Sequence, residues 1–487
     1  MKKFMYLALA FGVAILAVSC VFQPDFPTSE ETPIKVSESA EFSRKDVLAL
    51  SHLQTEHIIG EEGLKNLVLD FMGGSTPARN AVSPDSVITG VTKLAGRTDK
   101  GFVRSLSTSR TVLDEAEPAE IPFYVFTIGN GQDDTKGFAL TCGDDRIGNV
   151  LAVVEKGSYD DEENPYLPIF YSYLDQYITD TIDIYNSITE EDIAIALAKA
   201  ENPPEAPRSV IPIDANVSFY DIDSVKDLNK GLLKTDWDQG DSYAPGPYNA
   251  IIFPYITGCV ATAAAQIMAY HEFPNYLRDN GVSTGIQYEW NLMKADAWYK
   301  YEVAWLMWEI GLRVGMSWGV DKYHDGKGSS ASIANVPAAF VNMGYVSPIG
   351  VMDYDFGAIA GSINADRPVI ASGAATKTTP QFLGIQGKPS YSNGHAWVID
   401  GYRARYIVVN QVIINPQSPI LYVHCNLGWG GTCDGWYFSG VFYALPGQIP
   451  EPDLPVSQRS TVERFYQYQL KIIPYVYPHP VLKSIGY

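Results

Sequence analysis

The sequence predicts an α+β protein built from two domains. Three short runs between residues 121 and 157 are rich in β-branched and aromatic side chains and are bounded by Gly, Asn or Asp, which is typical of an antiparallel sheet. Apolar residues recur at three- and four-residue spacing in residues 46–72 and 166–200, which indicates helices. Three prolines within residues 202–208 end the helical pattern, and tryptophan first occurs after them, at Trp237. We therefore expect a domain boundary near residue 207.

The composition is that of a globular protein with more than one core. The chain has 487 residues, of which 46% are hydrophobic. Its 35 basic residues are outnumbered by 56 acidic ones, the formal net charge is -21, and no basic stripe is interleaved with aromatics, so we expect no nucleic-acid partner. Five cysteines without a C-x-x-C pair favour neither a disulfide scaffold nor a structural zinc site.

The first twenty residues are typical of an export signal. Lys2 and Lys3 precede an apolar run that ends in small residues, and this pattern predicts a signal peptide over residues 1–19. The next residue, Cys20, resembles the lipidated cysteine of bacterial lipoproteins, and residues 20–45 are predicted to form a flexible stalk. An ordinary signal peptide followed by an unmodified cysteine is the alternative.

Cys259 is the strongest candidate for a nucleophile. It follows Gly258 and opens the Ala-rich run VATAAAQIMAYH, which predicts a helix that begins at the cysteine. Unpaired N–H groups at a helix N-terminus favour a thiolate over a thiol. For an isolated cysteine, a buried helix-capping residue would be the commoner explanation.

Two downstream residues strengthen this interpretation. His395 opens the β-prone run AWVIDGY, and Asn426 ends the run ILYVHCN. A thiolate needs a base to hold its proton, and that base needs a third group to orient its ring. The order Cys, His, Asn, with roughly 130 to 150 residues between the first two, is typical of papain-type proteases.

Several blocks of the second domain resemble the streptopain-like cysteine peptidases, a papain-like family made as zymogens. The resemblance covers about residues 230–487, and its blocks are WDQGDSYAPGPYN, GCVATAAAQIMAYHEFP, QYEWNLM, GHAWVIDGY and HCNLGWGGTCDGWY. It implies a papain-like α+β peptidase domain over residues 208–487. It also implies a smaller α+β propeptide domain over residues 46–207, most clearly at residues 137–159.

The same resemblance implies a role for each site residue. Cys259 is the expected nucleophile and His395 the general base and acid. Asn426 is expected to orient the imidazole. Gln239 is expected to hold the oxyanion together with the backbone N–H of Cys259.

One position departs from the family pattern. The family usually reads Asn-Trp-Gly-Trp-Gly-Gly, whereas this chain has Leu427 in place of the first tryptophan and keeps Trp429. We expect both residues to line the substrate cleft, with Leu427 on the leaving-group side. Cys425 and Cys433 are close enough in sequence to form a disulfide, and whether they pair is left open. His424 and Asp400 are expected to be structural.

The sequence therefore predicts an exported, lipid-anchored cysteine endopeptidase made as a zymogen. Its expected partners are protein or peptide substrates, its own propeptide as an intramolecular inhibitor, and a membrane through the lipid anchor only; no metal or organic cofactor is expected. The expected location is the bacterial cell envelope, at the outer membrane, facing the periplasm or the exterior, with release after processing left open. The alternative is a catalytically silent protein that acts as a peptidase inhibitor or binding module.

Overall fold

The structure is a computed structural model, which describes the chain mainly from residue 44 onward. The described residues are 35–36, 44–53, 57–73, 87–94, 121–129, 136–161, 164–201, 217–224, 231–240, 243, 245–279, 282–295, 301–320, 328–378, 381–382, 385–386, 390–409, 412–413, 419–442 and 470–487. The predicted signal peptide, Cys20, most of the predicted stalk and the proline-rich boundary at 202–208 lie outside them. Residues 44–201 are called the N-terminal region below, and residues 217–487 the C-terminal region.

Helices and strands are mixed throughout the described residues, so the predicted α+β class is confirmed. The α-helices are α1 (Arg44–Ser51), α2 (Glu61–Gly73), α3 (Leu167–Ser187), α4 (Glu190–Glu201), α5 (Cys259–His271), α6 (Trp290–Ala295), α7 (Glu302–Val314), α8 (Val336–Asn342), α9 (Phe356–Asn364) and α10 (Pro480–Ser484). Short 3-10 helices occupy Ile333–Asn335 and Ser439–Phe442. None of the helices in the described part combines the length and the apolar character needed to cross a bilayer.

The strands are β1 (Lys35–Val36), β2 (Val87–Leu94), β3 (Phe123–Gly129), β4 (Lys136–Cys142), β5 (Val150–Val154), β6 (Val217–Asp223), β7 (Tyr276–Asp279), β8 (Val282–Gln287), β9 (Tyr345–Val346), β10 (Met352–Asp353), β11 (Val369–Thr378), β12 (Gln381–Phe382), β13 (Ile385–Gln386), β14 (Ser390–Val409), β15 (Val412–Ile413), β16 (Ile420–Asn426), β17 (Gly435–Phe438), β18 (Lys471–Ile473) and β19 (Tyr477–Pro478). Strands β3, β4, β5, β14 and β16 contain the short β-prone runs identified in the sequence, whereas the other strands were not predicted.

Most of these strands belong to a single sheet that runs through both regions. Its main path is β10-β18-β11-β14-β16-β17-β5-β4-β3-β2. The regions join where β17 pairs antiparallel with β5, for example Trp436 with Val153. Strand β6 adds to the side of β14, where Asp221 and Asp223 form buried ion pairs with Arg405 and Arg403.

Two hydrophobic clusters cover the sheet. One contains the N-terminal sheet and α3, and it continues into the C-terminal region through residues such as Trp397, Leu427 and Tyr437. The other lies within the C-terminal region and contains the buried faces of α5, α7 and α8 together with Ala396 and Val398 of β14. The helix that begins at Cys259 thus packs on the strand that carries His395.

Candidate active site

Cys259 is the first residue of α5, as the sequence predicts. Its neighbour Gly258 has φ of 81°, and a Cβ at that position would lie 3.1 Å from side-chain atoms of Met316 and Ser329. Glycine is therefore required both by backbone conformation and by the close approach of neighbouring side chains. This tight entry turn brings the cysteine to the start of the helix.

Burial opposes ionisation of the Cys259 thiol in this structure. Burial raises its pKa, and the opposing effect of backbone N–H groups, those of Ala396, Val260 and Cys259 itself, is smaller. The sequence led us to expect a thiolate favoured by the helix N-terminus. The N–H groups are present, but the loss of hydration outweighs them here.

His395 lies in β14, opposite Gly373 of β11. Its Nε2 is 2.8 Å from the backbone carbonyl oxygen of Leu427. Because a carbonyl oxygen can only accept, the ring carries its proton on Nε2, which leaves the lone pair of Nδ1 free to accept a proton. The residue is 4% exposed, and burial lowers the pKa of the imidazole to about 4.

The thiol belongs to α5 and the imidazole to β14, and the thiol lies next to the backbone of the residue that follows the histidine. The thiol approaches the N–H of Ala396, the residue directly after His395. Burial disfavours the charged form of both side chains and so opposes the thiolate–imidazolium pair that attacks a peptide.

Asn426 does not make the contact expected of it. Its Nδ2 donates to the carbonyl oxygen of Thr235 at 2.9 Å, and its Oδ1 accepts from Gln266 Nε2 at 2.8 Å and from the N–H of Gly428 at 3.1 Å. With both ends of the amide engaged, the group that contacts the imidazole is the carbonyl of Leu427. In this form Asn426 makes no hydrogen bond to the imidazole, and its role in orienting the ring stays a prediction.

Gln239 is buried close to the start of α5. Its backbone carbonyl oxygen accepts from the N–H of Thr257 at 2.8 Å and from the hydroxyl of the same residue at 3.1 Å. These bonds tie Gln239 to the segment that ends at Cys259, two residues later. Its role as an oxyanion donor stays a prediction.

Both residues expected in the substrate cleft, Leu427 and Trp429, pack on the hydrophobic cluster that contains the N-terminal sheet, and their place in a cleft stays a prediction. The Leu427 side chain is fully buried in the cluster shared with the N-terminal region, so in this form it cannot line an open cleft. Trp429 is partly buried and packs against the same cluster. Leu427 serves the site through its backbone, which contacts His395.

Cys425 and Cys433 are both free, buried thiols, so the disulfide left open by the sequence is not formed. Each faces the N-terminal region: Cys425 Sγ is 3.8 Å from the Tyr166 hydroxyl, and Cys433 Sγ is 3.7 Å from the carbonyl oxygen of Ser158.

His424 forms a buried pair with Asp400, with Nδ1 2.7 Å from Oδ1. Burial alone would lower the pKa of this imidazole, but the adjacent carboxylate outweighs it and the pKa is raised. The other carboxylate oxygen accepts from the N–H of Leu233. This pair ties β14, β16 and the segment before Gln239 together.

Two contributors to the site were missed in the sequence. The Leu427 carbonyl gives no sequence signal, because every residue carries one. Gln266 could have been noticed as the single amide in an otherwise Ala-rich, apolar stretch of α5.

Comparison with known proteins found a family model, relatives and solved structures that are similar to this chain. A model of the Peptidase C10 family matches residues 237–437. Streptopain from Streptococcus pyogenes is 25% identical over 341 residues, which cover 64% of this chain and 73% of streptopain. The thiol protease/hemagglutinin PrtT of Porphyromonas gingivalis is 24% identical over 372 residues, 69% of this chain and 36% of that protein.

A solved structure of a Prevotella intermedia prointerpain A fragment also matches. It has 19% sequence identity and a TM-score of 0.41, and the match covers 72% of this chain and 94% of the fragment.

Proposed function

The chain is a streptopain-like cysteine-type peptidase, and we propose that it is an exported, lipid-anchored endopeptidase made as a zymogen. The observation that carries the catalytic part is the junction of α5 and β14. There the Cys259 thiol meets the backbone beside His395, while the Leu427 carbonyl holds the ring in the tautomer whose Nδ1 can take a proton.

The first half of the proposed reaction forms an acyl-enzyme. The Cys259 thiol gives its proton to Nδ1 of His395, and the sulfur then attacks the peptide carbonyl carbon to form a C–S bond. The resulting oxyanion is held by the N–H of Cys259 and by the side-chain amide of Gln239. The imidazolium next gives the proton to the leaving amine as the C–N bond breaks, which leaves a thioester.

The second half releases the acyl group. A water molecule gives a proton to His395 and adds its oxygen to the thioester carbonyl. The C–S bond breaks, the proton returns to sulfur, and the free acid leaves. The side chains are restored, and each peptide bond consumes one water.

Latency is supported by the way in which the N-terminal region covers the strands next to the site. A Cβ at Gly373, the strand partner of His395, would lie 2.5 Å from the Tyr173 hydroxyl of α3. Tyr166 packs its ring against Trp397, with centroids 4.9 Å apart. With the region in place, the thiol is partly buried and the imidazole is buried, and burial disfavours the charged form of each. We propose that its removal restores water to the site and allows the ion pair to form.

Incubation of the full chain with unfolded casein tests the catalytic proposal. The wild type should shorten its own chain and cut casein, whereas Cys259→Ala should do neither and should not react with iodoacetamide at that position. Cys425→Ala is the matched control, because it removes a buried thiol one residue from Asn426 and should preserve both activities. An inactive wild type whose Cys259 does not react would favour the binding-module alternative.

Export and anchoring rest on residues 1–20 alone. We propose that Cys20 becomes the lipidated first residue of the mature chain. Partition of expressing cells into membrane and aqueous fractions should place the uncleaved Cys259→Ala chain with the membrane, and the added substitution Cys20→Ala should shift it to the aqueous fraction. An uncleaved chain of unmodified mass at Cys20 in the aqueous fraction would contradict the anchor.

A further inference from the structure

Gln266 lies on α5 seven residues after Cys259, which places the two residues two turns apart on one face of the helix. Its side chain is fully buried, in a helix otherwise dominated by alanine and apolar residues. A buried amide is tolerated only where its hydrogen bonds are made, and both ends of this one are. Its partners show what the amide holds in place.

One end of the amide holds the segment that leads to Gln239. Oε1 accepts from the hydroxyl of Thr235 at 2.9 Å and from the N–H of Trp237 at 3.2 Å. A backbone N–H can only donate, so the contact with Trp237 fixes which end of the amide is oxygen. The Nε2 group must therefore face the opposite way.

The other end holds the turn that contacts His395. Nε2 donates to Asn426 Oδ1 at 2.8 Å, and the same oxygen accepts from the N–H of Gly428 at 3.1 Å. That N–H and the carbonyl of Leu427 belong to one planar peptide group. Fixing the N–H of Gly428 therefore fixes the direction of the carbonyl that contacts His395 Nε2.

We propose that Gln266 is a positioning residue for the reaction. It sets the Leu427 carbonyl, and through it the tautomer and orientation of His395, relative to the helix that carries Cys259. Asn426 links Gln266 to the peptide group between Leu427 and Gly428, and it therefore acts on His395 indirectly. The proposal rests on the peptidase function proposed above, because the geometry that it sets has consequences only for proton transfer.

The informative substitution is Gln266→Glu in the full chain. It keeps the oxygen that Thr235 and Trp237 donate to, but it sets a second oxygen against Asn426 Oδ1. If the Asn426 amide flips to relieve that repulsion, the N–H of Gly428 loses its acceptor and the carbonyl oxygen of Thr235 loses its donor. Only the end of the amide that faces the catalytic turn is thus disturbed. Gln266→Met, which lacks both polar ends, serves as the second variant if the first folds poorly.

Thr235→Val is the matched control. It removes one donor to Oε1, while the N–H of Trp237 still occupies that oxygen and the bond to Asn426 is untouched. It therefore tests the same buried amide at the end that faces away from His395.

The measurements are kcat and KM on a casein-derived peptide, and the pH dependence of Cys259 alkylation by iodoacetamide, both made after each full chain has matured. Gln266→Glu should lower kcat by about ten- to a hundredfold with KM within about twofold, because catalytic groups are misplaced while the substrate site is kept. In the wild type, the thiolate–imidazolium pair should make Cys259 react with iodoacetamide below pH 8. In Gln266→Glu this reaction should be lost, and the alkylation rate should rise with pH as for a free thiol of pKa about 8.5. Thr235→Val should match the wild type in both measurements.

Two results would overturn the inference. One is an unchanged kcat and alkylation profile in folded Gln266→Glu and Gln266→Met, and the other is an equal loss in Thr235→Val. A wild type that cuts no peptide, but whose alkylation profile still changes in Gln266→Glu, would contradict the proposed function and leave the positioning role supported.

Discussion

Two buried histidines lie on neighbouring strands of the sheet, and their surroundings give them opposite properties. His395 is 4% exposed and His424 is 5% exposed. His424 lies against the Asp400 carboxylate and has a raised pKa, whereas His395 lies against a backbone carbonyl and has a pKa lowered to about 4. The comparison teaches that burial alone does not decide the charge of an imidazole. The partner decides it, and only the neutral ring is available as a base.

Substitution of the two rings should give the largest contrast. His395→Gln should lower casein hydrolysis by about 10²- to 10⁴-fold, because it removes the general base and acid. His424→Gln should keep the rate per folded molecule and lose stability instead. Rate assays and thermal unfolding of both variants check this, and equal losses of rate would break the distinction.

The carboxylate partner should matter next. Asp400→Ala leaves His424 Nδ1 and the N–H of Leu233 without their acceptor, and we expect the free energy of unfolding to fall by roughly 3–5 kcal/mol. Asp400→Asn keeps an acceptor and should lose less. Urea unfolding followed by tryptophan fluorescence measures both, and a cost for alanine no larger than for asparagine would argue against a charged pair.

The pH dependence of stability should differ in sign between the rings. The folded-state pKa of His395 lies below its ordinary value of 6.5, so the unfolded chain binds more protons between pH 6.5 and pH 4, and stability falls as the pH is lowered through that range. The full loss is about 3 kcal/mol. For His424 the pKa is raised, so its contribution is complete below pH 6.5 and is lost as pH rises through the folded-state pKa.

Unfolding of the wild type and of His395→Gln at pH 7 and pH 5 tests this expectation. His271, whose pKa burial also lowers to about 4, is present in both proteins and cancels in the difference. The variant should lose less stability on acidification than the wild type. Parallel pH curves would show that His395 is not held neutral by the fold.

The elements of the fold were predictable where they depend on local pattern. The helix at Cys259 follows from Gly258 and an Ala-rich run, and β3 to β5 follow from short β-prone segments between turn residues. The pairing of Trp436 with Val153 was not predictable, since it joins residues far apart in the chain through backbone bonds that any sequence can make.

The reactive side chains of the site could be predicted from the sequence, whereas the groups that hold them in place could not. Cys259 and His395 carry a chemistry that few residue types offer, so their order and spacing in the chain were informative. The orienting contact comes from a main-chain oxygen of Leu427, and Asn426 faces Gln266, which the sequence places on a distant element. Which way an amide points depends on neighbours that only the folded chain assembles.

Because β17 pairs with β5, cleavage of the chain between the two regions does not by itself separate them. Hydrolysis of a connecting peptide bond changes connectivity, but it removes no ladder bond between those strands and no contact among Tyr166, Trp397 and Tyr437. The two fragments would start as a nicked complex. Their separation would then be a second event, slower than the cut, driven by dilution or by digestion of the detached piece and opposed by the aromatic surface it would expose to water.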